Sequence, residues 1–324
     1  MSTQKFVTGM RDAFLNALYD IAKKDKNVII ITADNGAPSL DQFSQNLPNQ
    51  FFTVGIAEQQ MIGMACGMAV EGKKVYTYAI APFVTTRVHE FNKLCLGAMN
   101  LPIVNLGVGA GYAYDIMGPT HHTVEDITIM RSIPNMTVHS PADSTTATHL
   151  AQISYEDPSP QYIRFDRTGI PDLYGGKNID FKNGFIKVKD GDDLCIIATG
   201  IMVHQALEVA AELEKDGNRV GVIDLHRIKP INKDLLIKNI QNYPQIITME
   251  EHLLAGGMGS AIAEIMVDEG VSIPLLRIGQ NDKFVFDLGG RQAIWEKNGL
   301  DVIGVTKQIH EWRSAKVAFS PLAG

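Results

Sequence analysis

The sequence predicts an α/β protein made of two doubly wound domains with mostly parallel sheets. Three observations predict it. Short continuous runs of β-branched and aliphatic residues, the pattern of strands buried on both faces, alternate with longer segments whose apolar residues recur at helical spacing. The chain has 324 residues, more than one hydrophobic core normally organises. The alternation also lapses once, between Pro171 and Gly184, into the polar, glycine-bearing stretch Pro-Asp-Leu-Tyr-Gly-Gly-Lys-Asn, after which a second series begins. The expected division is a first domain over residues 1–172, a linker over 173–190 and a second domain over 191–324.

Taken in order, Thr8 to Lys24 carry apolar positions at helical spacing, and Asn27 to Thr32 read as a fully buried strand. A short β-type run, Phe51 to Val54, leads through Gly55 into a helix opened by Glu58. Gly63 and Gly67, four apart on that helix, would let another backbone approach closely. Further strands are expected at Lys74 to Ala79, Pro102 to Val108, Asn135 to His139 and Gln161 to Phe165, with helical patterns between them. After the linker, strands are expected at Leu194 to Ala198, Arg219 to Asp224, Gln245 to Met249 and Pro274 to Ile278. Helices are expected at Met202 to Asp216, Lys233 to Asn242 and Met258 to Glu269. The sequence contains no tandem repeat and no low-complexity tract.

A net charge of −7 and the lack of long basic runs argue against a nucleic-acid surface, while leaving room for a local anion site. Cys66, Cys95 and Cys195 stand far apart in apolar contexts without metal-type spacing, and are expected as reduced core thiols. No secretory signal core and no apolar run of membrane-spanning length is present, so no membrane partner is expected and a cytoplasmic location is.

Ligand sites in open parallel sheets lie beyond the carboxyl ends of the strands, which directs attention to four segments. Ala33-Asp34-Asn-Gly-Ala-Pro-Ser39 follows the first strand and Glu58 the second. Ile80-Ala-Pro-Phe83-Val-Thr-Thr-Arg87 follows the third, and Gly107-Val-Gly-Ala-Gly111, leading to Asp115-Ile-Met-Gly-Pro-Thr-His121-His122, the fourth. Glu58 sits at a strand-to-helix turn in apolar surroundings. A desolvated carboxylate there can hold or exchange a proton with a ring nitrogen, and it can equally be a first-turn residue favoured by the helix dipole. Singly, Asp34 reads as a loop cap, Phe83 as a core aromatic and the His pair as a surface loop; together they converge on one place.

The same segments, in the same order, resemble the pyrimidine-binding and C-terminal domains of transketolase, a thiamine diphosphate enzyme, along essentially the whole chain. Ala33-Asp34 through Ala37-Pro38-Ser39 resembles the family's Ala-Asp…Ala-Pro-Ser loop, Val54-Gly-Ile-Ala-Glu58 its glutamate motif and Gly118-Pro-Thr-His121 its Gly-Pro-Thr-His loop. Ile163-Arg-Phe-Asp-Arg167 falls where the family has an arginine. Met249-Glu-Glu-His252 with Gly256-Gly-Met-Gly259 resembles the C-terminal signature. The resemblance implies that Glu58 hydrogen-bonds the cofactor's aminopyrimidine, that Phe83 stacks on it and that Asp34 lies near it. It implies that His121 faces the substrate as a second catalytic residue. Asp115, Ser39, Arg164 and Arg167 are the remaining candidates for the substrate. Arg167, just beyond its strand, is the stronger of the two arginines for a distal phosphate or sulfonate.

The Gly-Asp-Gly…Asn segment with which such enzymes hold magnesium and the diphosphate is missing; Asp190-Gly-Asp-Asp193 has the wrong order. No metal ligand is therefore expected here. The resemblance implies a split transketolase, whose Mg2+ and diphosphate ligands sit on a partner chain in a heterotetramer, and the length and start of this chain match the second subunit. Met117 stands where the family has an aspartate touching the sugar, and Ile80 where it has an aromatic. Three functions are weighed: transketolase; a relative such as a deoxyxylulose-phosphate synthase-like protein or a 2-oxoacid dehydrogenase β chain; and a non-catalytic binding subunit. The Gly-Pro-Thr-His loop, Arg167 and the retained Glu58, Phe83 and His121 favour the first.

Overall fold

The computed structural model describes residues 9–167, 169–287 and 289–318. Thr8, the expected first residue of the opening helix, lies outside them. The first half runs α1 (Met10–Ala22), β1 (Val28–Thr32), α2 (Pro38–Asn46), β2 (Phe51–Thr53), α3 (Glu58–Val70), β3 (Lys74–Ile80), α4 (Ala81–Val84) and α5 (His89–Phe91). A π-helical segment, Asn92–Ala98, precedes β4 (Ile103–Val108). A 3-10 segment, Asp115–Thr120, then leads to α6 (Asp126–Arg131), β5 (Thr137–His139), α7 (Ser144–Glu156) and β6 (Gln161–Phe165). The second half runs β7 (Ile186–Lys189), β8 (Leu194–Ala198), α8 (Met202–Glu214), β9 (Val220–Asp224), β10 (Arg227–Lys229), α9 (Lys233–Ile240), β11 (Ile246–Leu253), α10 (Met258–Asp268), β12 (Leu275–Gln280), α11 (Arg291–Asn298) and α12 (Val302–Ala318).

Seven strands form one sheet in the order β10-β5-β6-β4-β3-β1-β2, and five form another in the order β12-β11-β8-β9-β7. Every pairing is parallel except β10 with β5 and β7 with β9. The continuous apolar runs behave as two-sided burial requires: all five residues of β1, of β6 and of β8 are buried. One face of the first sheet is covered by α1, α2 and α7 through Phe14, Leu18, Phe43 and Leu150. The other is covered by α3 and α6 through Met61, Ile62, Ile127 and Met130, in a core that continues into Ile223, Leu225 and Ile240 of the second half. Each such fully buried side chain is worth about 1.5–3 kcal/mol against exposure.

The two halves are tied together. Residues 173–190, expected as linker, include a 3-10 turn (Phe181–Asn183) and the edge strand β7. Within the same stretch the backbone N–H groups of Leu173 and Tyr174 donate to Asp143, which also caps α7 by accepting from Thr146 N at 2.7 Å. β10, from the second half, closes the edge of the first sheet. Cys195 is in the core as expected, whereas Cys66 and Cys95 are only half-buried, on α3 and the π-helical segment; all three are free thiols. The outer face of Gly63 and Gly67 is open: a Cβ at either would meet nothing within 4 Å. Among the described residues no helix is long and apolar enough to cross a membrane.

Candidate active site

The carboxyl ends of β2, β3, β4 and β6 bring six side chains into one line. Gly55, at φ 72°, turns the chain out of β2 so that Glu58 becomes the first residue of α3, where the helix dipole favours its negative charge. Its side chain is 4% exposed, and Oε1 accepts from Arg87 Nη1 at 2.8 Å. The same guanidinium lies 3.8 Å from the centroid of Phe83, on the short turn α4 that follows β3. Phe83 meets the His121 ring edge-on at 5.3 Å, His121 lies 5.7 Å from the Tyr114 ring, and the guanidinium of Arg167 sits 4.8 Å over Tyr114. The result is a wall running from Glu58 through Phe83 and His121 to Arg167, with a carboxylate at one end and an exposed cation at the other.

Burial, followed by the positive charge of Arg87 and the neighbouring His122, lowers the pKa of His121 below the ordinary histidine value, so the ring is neutral near pH 7. Its Nδ1 shares a hydrogen bond with Thr120 Oγ1 at 2.9 Å, which leaves Nε2 outside that bond. His122 is packing: its ring is buried, stands edge-on to Tyr112 at 4.9 Å, and Nε2 is 3.3 Å from the carbonyl of Asp115.

The glycine run before this loop has a steric reason. At Gly109 (φ 94°) a Cβ would lie 2.1 Å from the Tyr114 ring, and at Gly111 (φ 59°) 1.8 Å from Glu251 of β11. Glu251 is the anchor of the loop. It accepts from Tyr112 N at 3.0 Å, from Arg291 Nε at 2.8 Å and from Trp295 Nε1 at 2.5 Å. Arg291 also donates to Asp166 at 2.5 Å. Burial works against the Arg291 charge, but these two carboxylates outweigh it and raise its pKa. The neighbouring Glu250 accepts from Met258 N and Gly259 N at 2.6 and 2.8 Å and so starts α10.

Several sequence-predicted residues have other employment. Arg164 is 4% exposed and forks onto Asp126, at 2.8 Å from Nε and 3.2 Å from Nη2, with Thr123 O and Ser140 Oγ taking the rest. It is a buried strut with four of its five N–H donors engaged within the protein, because the side-chain alternation of β6 turns it inward under the loop. Asp115 does not replace the aspartate missing at Met117: its Oδ2 accepts from Arg291 N at 3.0 Å and its Oδ1 from Ile116 N at 2.8 Å, fixing the loop to α11. Ser39 is buried and donates to Asp12 at 2.7 Å, so its hydroxyl faces α1. Asp34 is exposed at the end of β1 in a left-handed conformation (φ 55°), a conformation aspartate adopts more readily than most residues.

Arg87, Tyr114 and Arg11 are the side chains that sequence reasoning left without a role. Arg87 stands four residues after Phe83, the spacing that puts two side chains on one face of a helical turn. Arg11 pairs with Asp12, donating at 2.7 Å, and its positive charge, like that of Arg167, acts on Tyr114. Its sequence context, an ordinary amphipathic helix, carried no sign of this.

Residues 8–171 match the transketolase pyrimidine binding domain and residues 185–288 the transketolase C-terminal domain. The chain is 34% identical to an apulose-4-phosphate transketolase subunit of Phocaeicola vulgatus, over 93% of this chain and 96% of the relative. It is also 34% identical to a 6-deoxy-6-sulfo-D-fructose transketolase subunit of a Clostridium species, over 93% and 94%. A 1-deoxy-D-xylulose-5-phosphate synthase of Geobacter sulfurreducens is 33% identical, but this chain spans only 48% of it. A split gene transketolase solved as an inactive beta4 tetramer superimposes with a TM-score of 0.83 at 32% identity, covering 94% of this chain and 97% of that one. The chain belongs to the transketolase family: it carries that family's pyrimidine-binding and C-terminal domains and is a subunit of a thiamine diphosphate-dependent transferase.

Proposed function

We propose that the chain forms one half of a two-chain transketolase, in which a partner bearing the diphosphate-binding domain and the Mg2+ ligands completes the cofactor site in a cytoplasmic heterotetramer. The absence of a Gly-Asp-Gly…Asn segment in this sequence supports the division of labour, as do relatives that are themselves named as subunits and are matched over nearly their full lengths. The residues present fit the pyrimidine half of the cofactor. A carboxylate at 4% exposure offers an acceptor for a ring N–H, and Phe83 beside it offers an aromatic face, worth about 0.5–1.5 kcal/mol beyond area burial.

Thiamine diphosphate, when bound, supplies the nucleophilic thiazolium carbon that takes up a two-carbon ketol unit from a ketose and hands it to an aldose. Glu58 would hold a proton at the pyrimidine nitrogen of the bound group. Burial makes this exchange effective, since water is kept from the carboxylate. Phe83 orients the ring. His121, neutral and with Nε2 toward the cleft, accepts or returns the proton of a sugar hydroxyl. Arg167 holds the sugar's distal anion, and a guanidinium suits a phosphate or a sulfonate about equally. The names of the two transketolase relatives carry one of each, which supports an anionic sugar of this kind as substrate. Asp34, at the rim after β1, lies on the cofactor side.

The observation that carries the reading is the buried Glu58 and the ring of Phe83 converging on one place, where a single Arg87 guanidinium meets both. Glu58→Gln keeps the shape and removes the proton acceptor. In the assembled complex kcat should collapse with little change in substrate binding, and exchange of the thiazolium C2 proton for deuterium should slow in parallel. Wild-type exchange in this variant would reduce Glu58 to a helix-start residue.

A further inference from the structure

One guanidinium makes two contacts that a pyrimidine at this site also needs. Arg87 donates to Glu58 Oε1 at 2.8 Å, and its guanidinium carbon lies over the ring of Phe83, 3.8 Å from the centroid. A flat π-system with N–H donors on its rim, hydrogen-bonded edge-on to a carboxylate and stacked on an aromatic ring, describes an arginine side chain and an aminopyrimidine equally well. Both cannot hold the same carboxylate oxygen and the same ring face together. The two partners differ in how readily they move: the Glu58 side chain is 4% exposed at a helix start, whereas that of Arg87 is 42% exposed on a flexible stem.

We propose that Arg87 is a displaceable stand-in for the cofactor's pyrimidine, holding Glu58 and Phe83 until the cofactor takes both contacts from it. The proposal rests on the cofactor reading above. A buried carboxylate without a partner loses its charge or its aim, so the stand-in keeps Glu58 paired and correctly placed. Cofactor entry is then an exchange of partners, and affinity falls by whatever the Arg87 contacts are worth. Arg87 thereby sets how tightly and how reversibly the cofactor is held, while the chemistry stays with Glu58.

The test uses the assembled complex with Mg2+, titrated with thiamine diphosphate by calorimetry at fixed ionic strength. Arg87→Ala should bind the cofactor roughly 5- to 30-fold more tightly than wild type, the lower end reflecting the solvent exposure of the pair. Arg87→Lys keeps the charge without the plane and should fall between. Free guanidinium ion, compared with sodium at equal ionic strength, should refill the slot in Arg87→Ala and weaken cofactor binding there, while leaving wild type unchanged. Equal or weaker cofactor binding by Arg87→Ala would overturn the proposal, the latter making Arg87 a direct cofactor ligand. Binding of thiamine diphosphate by neither protein would instead remove the cofactor reading on which it rests.

Discussion

Replacing Arg291 by methionine withdraws the cation held between Glu251 and Asp166. Both carboxylates are 3% exposed and Arg291 itself 12%, so the pair is not rescued by solvent. Removing one partner of a buried ion pair costs about 3–5 kcal/mol, because a charge is left without compensation. Glu251 would retain the N–H groups of Tyr112 and Trp295, which favours the lower half of that range. A melting entropy of about 2.1 cal/mol/K per residue gives about 0.7 kcal/mol/K for 324 residues, so the loss corresponds to a fall in Tm of about 4 to 7 °C. Adding Glu251→Gln to Arg291→Met should recover part of it, since the two residues share one network. Calorimetric unfolding of wild type and the two variants measures this. A fall below about 2 °C in Arg291→Met would show that the cluster is solvated and that the loop is held by something else.

Arg167→Ala should raise KM about 10- to 100-fold for anionic sugars and leave an uncharged acceptor such as glycolaldehyde nearly unaffected, a contrast that steady-state kinetics on both acceptors reads directly. Burial lowers the pKa of His139 to about 3 and that of His226 to about 4, below the unfolded value. Their stabilising effect is therefore complete above about pH 6.5 and falls by about 1.4 kcal/mol per pH unit for each ring on acidification. Tm measured from pH 7.5 to 5 should show this acid limb, and His226→Gln should flatten it. Burial, with the nearby Asp143 charge, raises Asp224 to about 8 although Tyr174 donates to it at 2.8 Å. Its contribution is present below about pH 4 and lost as pH rises through about 8, so Asp224→Asn should be at least as stable as wild type at pH 8.5, and a lower Tm there would refute the raised pKa of Asp224.

The parts of the fold that were legible are those with a local cause. Leu194–Ala198 and Gln161–Phe165 read correctly to the residue: the first is an unbroken apolar run, and the second keeps its β-type residues Tyr162, Ile163 and Phe165 between turn signals although Gln161 and Arg164 are polar. β7 and β10 were not read, since each is an edge strand of three or four residues whose existence depends on what lies beside it. The Glu58, Phe83 and His121 positions were visible because topology dictates which loops meet. Which charges pair across the fold was not. Arg164 and Arg167 are three residues apart with the same chemistry, and only burial separates a strut from an exposed cation. Arg291 is about 125 residues from Asp166, and nothing in the spacing announces their meeting.

The antiparallel strand β10 crosses from the second half to pair with β5 through His139 and Val138. The boundary between the two sequence families is thus not a folding boundary. Severed at the stretch before β7, the amino-terminal piece would present β5 as a naked strand edge, ready to pair with any other chain. The carboxyl-terminal piece would carry a short ribbon with no sheet to join. The two modules are therefore inherited as a single mechanical unit, and any rearrangement of genes that keeps the enzyme soluble must move them together.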